Sequence, residues 1–314
     1  MRWQDAAVAR DRLGRVEQLA RGGQAWIYRL PDFDLPGVAV PLVYKEYHSV
    51  VGRIPPQGLA NIIALRLAVP AEQRLWFDAH LTWPLAIVVD NADAPARARV
   101  AGVVMRLIPD AFFEVFATRG EPSQRRPNEA GSLFAGPAEL RTRGLAFPNR
   151  AQRWWLCLRL AFLVAYLHKQ GIVFGDISAR NLLYRLRPTP DVLLVDCDAV
   201  RKVGNAPVVD QGHTPDFFPP ALYEPQSISS DLFKLGLFIA RILVPGRVVT
   251  SDVAADAVDG VLDRTGVNLV RASLADDPRV RPAALAWYRY LRSGAGSHPT
   301  TVPFDDWRDR NSAS

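Results

Sequence analysis

The amino-acid sequence predicts an α+β protein with two lobes, a small β-rich N-terminal lobe and a larger helical C-terminal lobe. Short β-rich runs separated by Gly and Pro turns dominate the first third, and apolar residues at helical spacing dominate the remainder. The chain has 314 residues, of which 49% are hydrophobic, so it can build a sizeable core. This length corresponds to one or two domains of ordinary size.

Five strands and one helix are predicted in the first lobe, 1–108. The strand runs are broken by Gly22 and Gly23 and by the Pro- and Gly-containing segment 31–37. The predicted helix covers 59–68, and the predicted strands cover 16–19, 25–29, 40–47, 85–89 and 100–108.

The second predicted lobe, 109–293, contains a segment of unusual composition near its start. Segment 118–149 is rich in Gly, Pro, Arg and Ser, which predicts an inserted or flexible connection with little structure of its own. A long amphipathic helix is predicted at 150–169 and is ended by Gly171. The remaining predicted elements are a hairpin of 181–184 and 192–195, helices at 230–243, 253–262 and 282–291, and a polar tail at 294–314.

Charge and cysteine content narrow the classes of function. The formal net charge of +6 suits an anionic ligand, but the Arg residues are scattered, so no nucleic-acid partner is predicted. The two cysteines, Cys157 and Cys197, are too few for a disulfide framework or a zinc cluster, which fits a reducing compartment. Residues 1–15 lack the apolar core of a signal peptide, and the apolar stretches are too short to cross a bilayer. We therefore expect a cytoplasmic location and no membrane segment.

The strongest chemical pattern lies in 171–198, with the sequence GIVFGDISARNLLYRLRPTPDVLLVDCD. Asp176 follows the long helix, Asn181 comes five residues later at the start of the hairpin, and Asp196 ends its second strand. Carboxylate and amide oxygens bind Mg²⁺, and a carboxylate can accept a proton, although Asp and Asn are also ordinary turn residues. The pattern resembles the catalytic loop (HRDxxxxN) and metal motif (DFG) of protein kinases. The resemblance implies that Asn181 and Asp196 hold Mg²⁺, with Mn²⁺ as an alternative, and that Asp176 accepts the proton of the attacking hydroxyl.

Two upstream features resemble the phosphate-binding parts of the same family. Lys45 ends the run LVYK, which resembles the VAIK strand, so it would contact the α and β phosphates of ATP; a solvated strand lysine is the alternative. Gly22 and Gly23 resemble part of the glycine-rich loop that covers the phosphates. Ala20 and Ala25 stand where the outer glycines would be, so a plain hairpin turn is the alternative here.

The run 103–108 resembles the strand that enters the adenine pocket of a kinase. By this resemblance Met105 would be the gatekeeper, and the backbones of Arg106 and Ile108 would bind adenine. An ordinary buried strand is equally consistent with these side chains.

Three further motifs follow in the order of the family. The run HTPDFFPP at 213–220 resembles GTPEYxAPE, and SDLFKLG at 230–236 resembles SDVWSLG, in which Asp231 would anchor the catalytic-loop backbone. LADDPRVRP at 274–282 resembles LxxDPxxRP. Together the motifs keep near-family spacings from 19 to 291, so the chain resembles the protein kinase-like superfamily over almost its entire length.

Several residues depart from the family pattern. Phe174 and Gly175 replace the His-Arg of HRD, and Thr214 is the single hydroxyl residue between Asp196 and Pro219, so switching by loop phosphorylation is not expected. Ser178 replaces the usual loop lysine, and Arg180 would either supply the missing charge near the γ-phosphate or pair elsewhere.

The motifs VFGD, N and DCD, in which Asp198 replaces the glycine of DFG, resemble a branch of bacterial Ser/Thr kinases associated with helix-hairpin-helix appendages. In that branch, relatives are associated with von Willebrand A and PP2C-phosphatase partners. The sequence contains no visible appendage, which weakens the partner inference.

Two missing glutamates bear on activity. No glutamate occurs from 57 to 71, so Lys45 lacks its usual helix partner, and Glu72 is expected to lie past the helix. Ala221 replaces the Glu of the APE motif, which leaves Arg281 without its usual partner unless Glu224 substitutes.

The resulting functional prediction is ATP- and Mg²⁺-dependent phosphoryl transfer to Ser or Thr of a protein substrate. The catalytic residues would be Asp176, Lys45 and Arg180. The alternatives are a pseudokinase, meaning a nucleotide-binding scaffold or regulatory module without transfer, and a small-molecule kinase.

Overall fold

The structure is a computed structural model that describes residues 1–48, 51, 54–90, 98–118, 120–208, 214–219 and 225–297. Its N-terminal part is rich in β-sheet and its C-terminal part is helical, which confirms the predicted α+β class and two-lobed arrangement. Within the described residues, no helix is both long enough and apolar enough to span a membrane.

A six-stranded sheet forms the centre of the N-terminal lobe. Its neighbours pair antiparallel except for the parallel pair at one edge, where Ala7 lies opposite Ile87. The spatial order is β1-β5-β6-β4-β3-β2. The strands are β1 (Ala7–Ala9), β2 (Glu17–Arg21), β3 (Ala25–Leu30), β4 (Leu42–Tyr47), β5 (Ala86–Val89) and β6 (Val100–Arg106).

The two faces of this sheet contribute to different apolar clusters, because successive strand residues point to opposite faces. Val43 and Met105 join the main core together with helix α1 (Pro56–Leu67). Leu42, Tyr44 and Val104 belong to a separate cluster. Lys45 therefore shares the face of Val43, which is directed to the main core.

Two long buried helices form the centre of the C-terminal lobe. Helix α4 (Arg150–Lys169) has the predicted bounds and begins with a capping box, in which Asn149 accepts from the Gln152 amide at 2.8 Å and donates its own amide to the Gln152 side chain at 2.9 Å. Helix α5 (Ile228–Leu243) is buried along almost its whole length. The other helices are α2 (Ala71–His80), α3 (Pro137–Thr142), α6 (Ala254–Ala257), α7 (Arg264–Ser273) and α8 (Ala284–Gly294).

Short antiparallel pairs carry the polar motifs between α4 and α5. Strands β10 (Leu182–Arg185) and β11 (Asp191–Leu194) form the predicted hairpin, and strand β9 (Ile172–Val173) pairs with β12 (Arg201–Lys202). The Val195 amide donates to the Asn181 carbonyl at 2.9 Å, so the residues that follow β11 lie beside the residues that precede β10.

The expectation of little structure in 118–149 is wrong. Strands β7 (Phe113–Thr118) and β8 (Glu121–Pro127) form a hairpin, a 3₁₀ helix covers Ala130–Phe134, and α3 follows. Leu133 and Leu140 are fully buried, so a few apolar residues fix a segment whose overall composition resembles a linker.

The predicted helix at 253–262 is also wrong for most of its length. It forms only the four residues of α6, because Gly260 adopts a φ of 78° and Asp263 begins a new helix by accepting from the Gly266 amide at 2.9 Å. Helices α2 and α7 and strand β1 were not predicted. From 298 onward the predicted polar tail lies outside the described residues.

Candidate active site

The loop that carries Asp176 is held by a buried carboxylate of α5. Asp231, which is fully buried, accepts hydrogen bonds from the amides of Phe174 at 2.8 Å and Gly175 at 2.9 Å. His168 Nε2 lies 3.2 Å from the same carboxylate. These contacts satisfy a group that would be costly to bury alone. They confirm that Asp231 anchors the backbone of this loop.

A buried lysine one turn further along α5 supports the same loop. Lys234 is fully buried in α5, and its Nζ donates to the Gly175 carbonyl at 2.6 Å and lies 3.9 Å from Asp176 Oδ1. Gly175 has a φ of 86°, a conformation that L-amino-acid residues rarely adopt, so glycine suits this position. Sequence reasoning missed Lys234, although a lysine inside the apolar run DLFKLGLF was a visible signal.

Asp176 itself is oriented by a residue on each side. Thr214 Oγ1 donates to Asp176 Oδ1 at 2.8 Å, and Asn181 Nδ2 donates to Asp176 Oδ2 at 2.8 Å and to its backbone carbonyl at 3.0 Å. The predicted pair Asp176 and Asn181 is therefore in direct contact. Thr214 was noted in the sequence as the single hydroxyl residue of this segment, but its contact with Asp176 was not predicted.

The donor set around Asn181 fits a magnesium ion. Because the nitrogen of the Asn181 side chain is committed to Asp176, its carbonyl oxygen is the group left to bind a cation. The Asp196 side chain is 54% exposed and follows the hairpin strand that lies beside Asn181. In the described part of the chain, no group of three or more His, Cys, Asp or Glu could hold a metal. One amide and one carboxylate oxygen, completed by phosphates and water, is the arrangement that Mg²⁺ accepts in nucleotide sites.

Lys45 connects the N-terminal sheet to this region. Its Nζ donates to Asp198 Oδ1 at 2.8 Å and to Asp196 Oδ1 at 3.1 Å, although the side chain is largely buried. Burial alone would lower the pKa of Lys45, but the carboxylates of Asp196 and Asp198 outweigh burial and raise it, so the ammonium is held in its charged form.

Helix α1 offers Lys45 no carboxylate, as predicted, but the lysine is paired all the same. The partner comes from the segment after β11 and not from the helix after β4. Glu72 lies in the first turn of α2, past α1 as predicted, and is exposed.

Gly22 and Gly23 form the tip of the hairpin between β2 and β3. The Gly22 amide donates to the Ala25 carbonyl at 2.8 Å, and His48 Nε2 lies 3.0 Å from the Gly22 carbonyl. A Cβ added to Gly23 would meet no atom within 4 Å, so the described structure leaves open space at this turn.

The predicted adenine-binding residues lie at the end of β6. Met105 is buried and pairs with Val43, and the Leu107 amide donates to the Pro41 carbonyl at 2.9 Å. The Arg106 side chain donates to the carbonyl of Asp78. Arg106 and Ile108 thus flank the residue that leaves the sheet, and no described contact joins them to Asp176.

Arg180 and Arg281 have partners of different kinds. Arg180 is exposed on the loop between Asp176 and β10, where its positive charge acts on Glu129. Arg281 donates to the carbonyls of Ala275 and Ser229, so it is not left without partners. The predicted substitution by Glu224, and the residues 209–213 and 220–224 of the segment before α5, lie outside the described residues.

A β-rich lobe over a helical lobe, with Lys45 reaching from one lobe to the aspartates of the other, defines a bilobal protein-kinase-like architecture. Comparison with known proteins agrees. A segment covering 48% of the chain is 29% identical over 173 residues to the serine/threonine-protein kinase RUNKEL of Arabidopsis thaliana. The match covers 12% of that protein. No family model matches the chain.

Proposed function

We propose that this chain binds ATP with Mg²⁺ and transfers the γ-phosphoryl group to a Ser or Thr hydroxyl of a protein substrate. The observation that carries the proposal is the convergence of two residue pairs from distant parts of the chain. Lys45 contacts Asp196 across the two lobes, and Asp176 contacts Asn181 within one loop. The hydrogen bond from the Val195 amide to the Asn181 carbonyl brings this loop beside Asp196. Phosphoryl transfer requires these groups, namely a cation for the phosphates, ligands for the metal and a carboxylate for the attacking hydroxyl.

The nucleotide would lie between the sheet and the loops of the C-terminal lobe. Lys45 would contact the α and β phosphates, and the open turn at Gly22 and Gly23 permits close approach of the backbone to them. Adenine would lie against Met105 and bind the backbones of Arg106 and Ile108. Arg180 is proposed to act near the γ-phosphate, where its exposed position leaves it accessible.

The acceptor hydroxyl would be activated by Asp176. Thr214 engages one oxygen of this carboxylate and Asn181 the other, so its plane is fixed before substrate arrives. Asp176 would orient the hydroxyl and accept its proton. Asn181 and Asp196 would hold Mg²⁺, with Mn²⁺ as an alternative, and the ion would neutralise charge on the transferring group.

The assignment of a particular kinase branch and of its partner proteins rests on sequence resemblance. The VFGD and DCD motifs support the bacterial helix-hairpin-helix-associated branch, and with it von Willebrand A or PP2C-phosphatase proteins as partners. Cys157 and Cys197 are both free and buried, which supports a reducing location such as the cytoplasm.

The direct test is incubation of the purified chain with γ-labelled ATP, Mg²⁺ or Mn²⁺, and candidate proteins from the same cell. We expect Asp176→Ala to lower label transfer by about a hundredfold or more while ATP binding persists, since a general base contributes roughly 10²–10⁴-fold. Asp196→Asn should instead weaken the metal-dependent part of ATP binding. ATP binding without transfer to any protein or small molecule would establish a pseudokinase, and absence of metal-dependent ATP binding would exclude the proposed site.

A further inference from the structure

Lys45 is buried at a point where the adjacent helix offers it no carboxylate. It is 6% exposed, and a buried ammonium is strongly unfavourable unless it is paired. Helix α1, which packs on the same face of the sheet, contains no Asp or Glu. The group that orients this lysine must therefore come from another part of the fold.

Asp198 supplies that group, and side chains of strand β4 donate to both of its carboxylate oxygens. Asp198 is 1% exposed. Its Oδ1 accepts from Lys45 Nζ at 2.8 Å and its Oδ2 accepts from the Tyr47 hydroxyl at 2.6 Å. Tyr47 lies two residues after Lys45 on β4, so both side chains project from the same face of the strand. The Tyr47 bond fixes the carboxylate plane, and the carboxylate in turn fixes the lysine.

Asp196 lies in a different environment although it is only two residues away. Its side chain is 54% exposed, whereas that of Asp198 is 2% exposed. Lys45 contacts its Oδ1 at the longer distance of 3.1 Å. Asp196 is thus the carboxylate that can reach a ligand in the cleft, and Asp198 is enclosed by protein donors on both oxygens.

We propose that Asp198, held by Tyr47, is the positioning residue that aligns Lys45 with the nucleotide phosphates, in place of a helix carboxylate. The proposal rests on the function proposed above. It divides the DCD motif into two roles, with Asp196 binding metal and Asp198 anchoring the lysine. Because the anchor lies after β11 and not on α1, the alignment of Lys45 is independent of the position of α1, which in other kinases controls the lysine pair.

A double-mutant cycle measures whether Asp198 acts through Lys45. ATP affinity is measured at equilibrium, in EDTA so that no metal contributes, for the wild type, Asp198→Asn, Lys45→Met and the double variant. We expect Asp198→Asn to weaken binding by about tenfold or more, the loss typical of one charge-assisted hydrogen bond. In the Lys45→Met background the same change should alter affinity by less than about twofold. Additive effects would overturn the proposal.

The competing role, a metal ligand, is separated by adding Mg²⁺. The ratio of ATP affinities with and without Mg²⁺ should stay at the wild-type value in Asp198→Asn. In the matched variant Asp196→Asn this ratio should fall towards one. A collapse in both variants would make Asp198 a metal ligand and overturn the anchoring role.

Tyr47→Phe is the milder second variant, because it removes one hydroxyl and leaves the ring in place. It should weaken metal-free ATP binding by about threefold, with no further loss in the Lys45→Met background. If Asp198→Asn fails to fold, as judged by circular dichroism, this cycle decides the question, and an unchanged affinity in Tyr47→Phe overturns the proposal. Absence of ATP binding by the wild type both with Mg²⁺ and in EDTA overturns the proposed function itself. Binding only with Mg²⁺, or normal binding with an additive cycle, overturns only the role of Asp198.

Discussion

Lys234 lies close to Asp176, with its Nζ 3.9 Å from Asp176 Oδ1 and 2.6 Å from the carbonyl oxygen of Gly175. The loop that carries Asp176 therefore receives a buried positive charge from α5, although Ser178 occupies the loop position where kinases usually carry a lysine. The Lys234 ammonium donates to the backbone of the residue before Asp176 and so holds that backbone in place. If Asp176 acts as proposed, we expect Lys234 to position it.

Lys234→Met should lower kcat for phosphoryl transfer by between about tenfold and a hundredfold, because a small displacement of Asp176 misaligns the acceptor hydroxyl. The KM for ATP should remain near its wild-type value, since Lys45 and Asp196 are untouched. Lys234→Arg, which retains the charge, should recover part of kcat. Steady-state kinetics on variants shown to be folded give the answer, and an unchanged kcat in Lys234→Met would contradict the role.

Phosphoryl transfer should require the free hydroxyl of Thr214 and should not require its phosphorylation. Thr214 Oγ1 donates to Asp176 Oδ1 at 2.8 Å, so Thr214→Val removes one of the bonds that fix the carboxylate. We expect kcat to fall by about tenfold in Thr214→Val and to stay near the wild-type value in Thr214→Ser. Mass spectrometry of the active protein provides the control, because phosphate found on Thr214 of the active form would argue against this contact as the functional one.

Gly236 should be required for the packing of α5 on α7. A Cβ added to Gly236 would lie 2.3 Å from the Cβ of Ser273, a distance at which one of the helices must shift. Gly236→Ala should therefore lower the free energy of unfolding by about 1–3 kcal/mol, although Ala is the better helix former by about 1 kcal/mol.

The compensating variant for this contact is Ser273→Gly, which removes the opposing Cβ. Urea denaturation should show a smaller loss for Gly236→Ala in the Ser273→Gly background than in the wild type. Ser273→Gly also removes the acceptor of the Trp287 indole, so each pair is compared within its own background. Equal losses in both backgrounds would exclude the steric explanation.

Asp191 should make the stability of the protein sensitive to acid. Burial alone would raise its pKa, but the hydrogen bond and charge of His80, together with Arg159 and Arg185, lower it to about 2. Because the pKa is depressed from 3.8, this contribution is fully present above about pH 4 and is lost as pH falls towards 2.

The measurement is the unfolding free energy of the wild type and of Asp191→Asn from pH 6 down to the acid limit of folding. The difference between them should shrink by up to about 2 kcal/mol as pH falls through this range. A difference that stays constant with pH would contradict the prediction that protonation of Asp191 lowers the stability of the folded protein.

Elements that depend on local pattern could be predicted from the sequence. The bounds of α4 follow from its apolar spacing, from the Asn149 and Gln152 capping box at its start and from Gly171 after its end, all of which are local signals. The prediction for segment 118–149 was wrong because composition alone does not reveal that Leu133 and Leu140 are buried in the folded chain. The helix predicted at 253–262 was too long because its pattern was extended across Gly260, whereas the structure forms only α6 there.

The sequence by itself determined the chemical groups of the site. Asp176 and Asn181 are five residues apart, and Asp196 ends the hairpin that follows. This spacing predicted that the three side chains lie close together, because residues of a loop and of the hairpin next to it are close in space. Only the tertiary structure decided which groups support them. Lys45 pairs with Asp198, 153 residues away, and Lys234 reaches Gly175 across 59 residues. Such contacts leave no periodic signal in the chain, since they exist only once two lobes and two helices have packed.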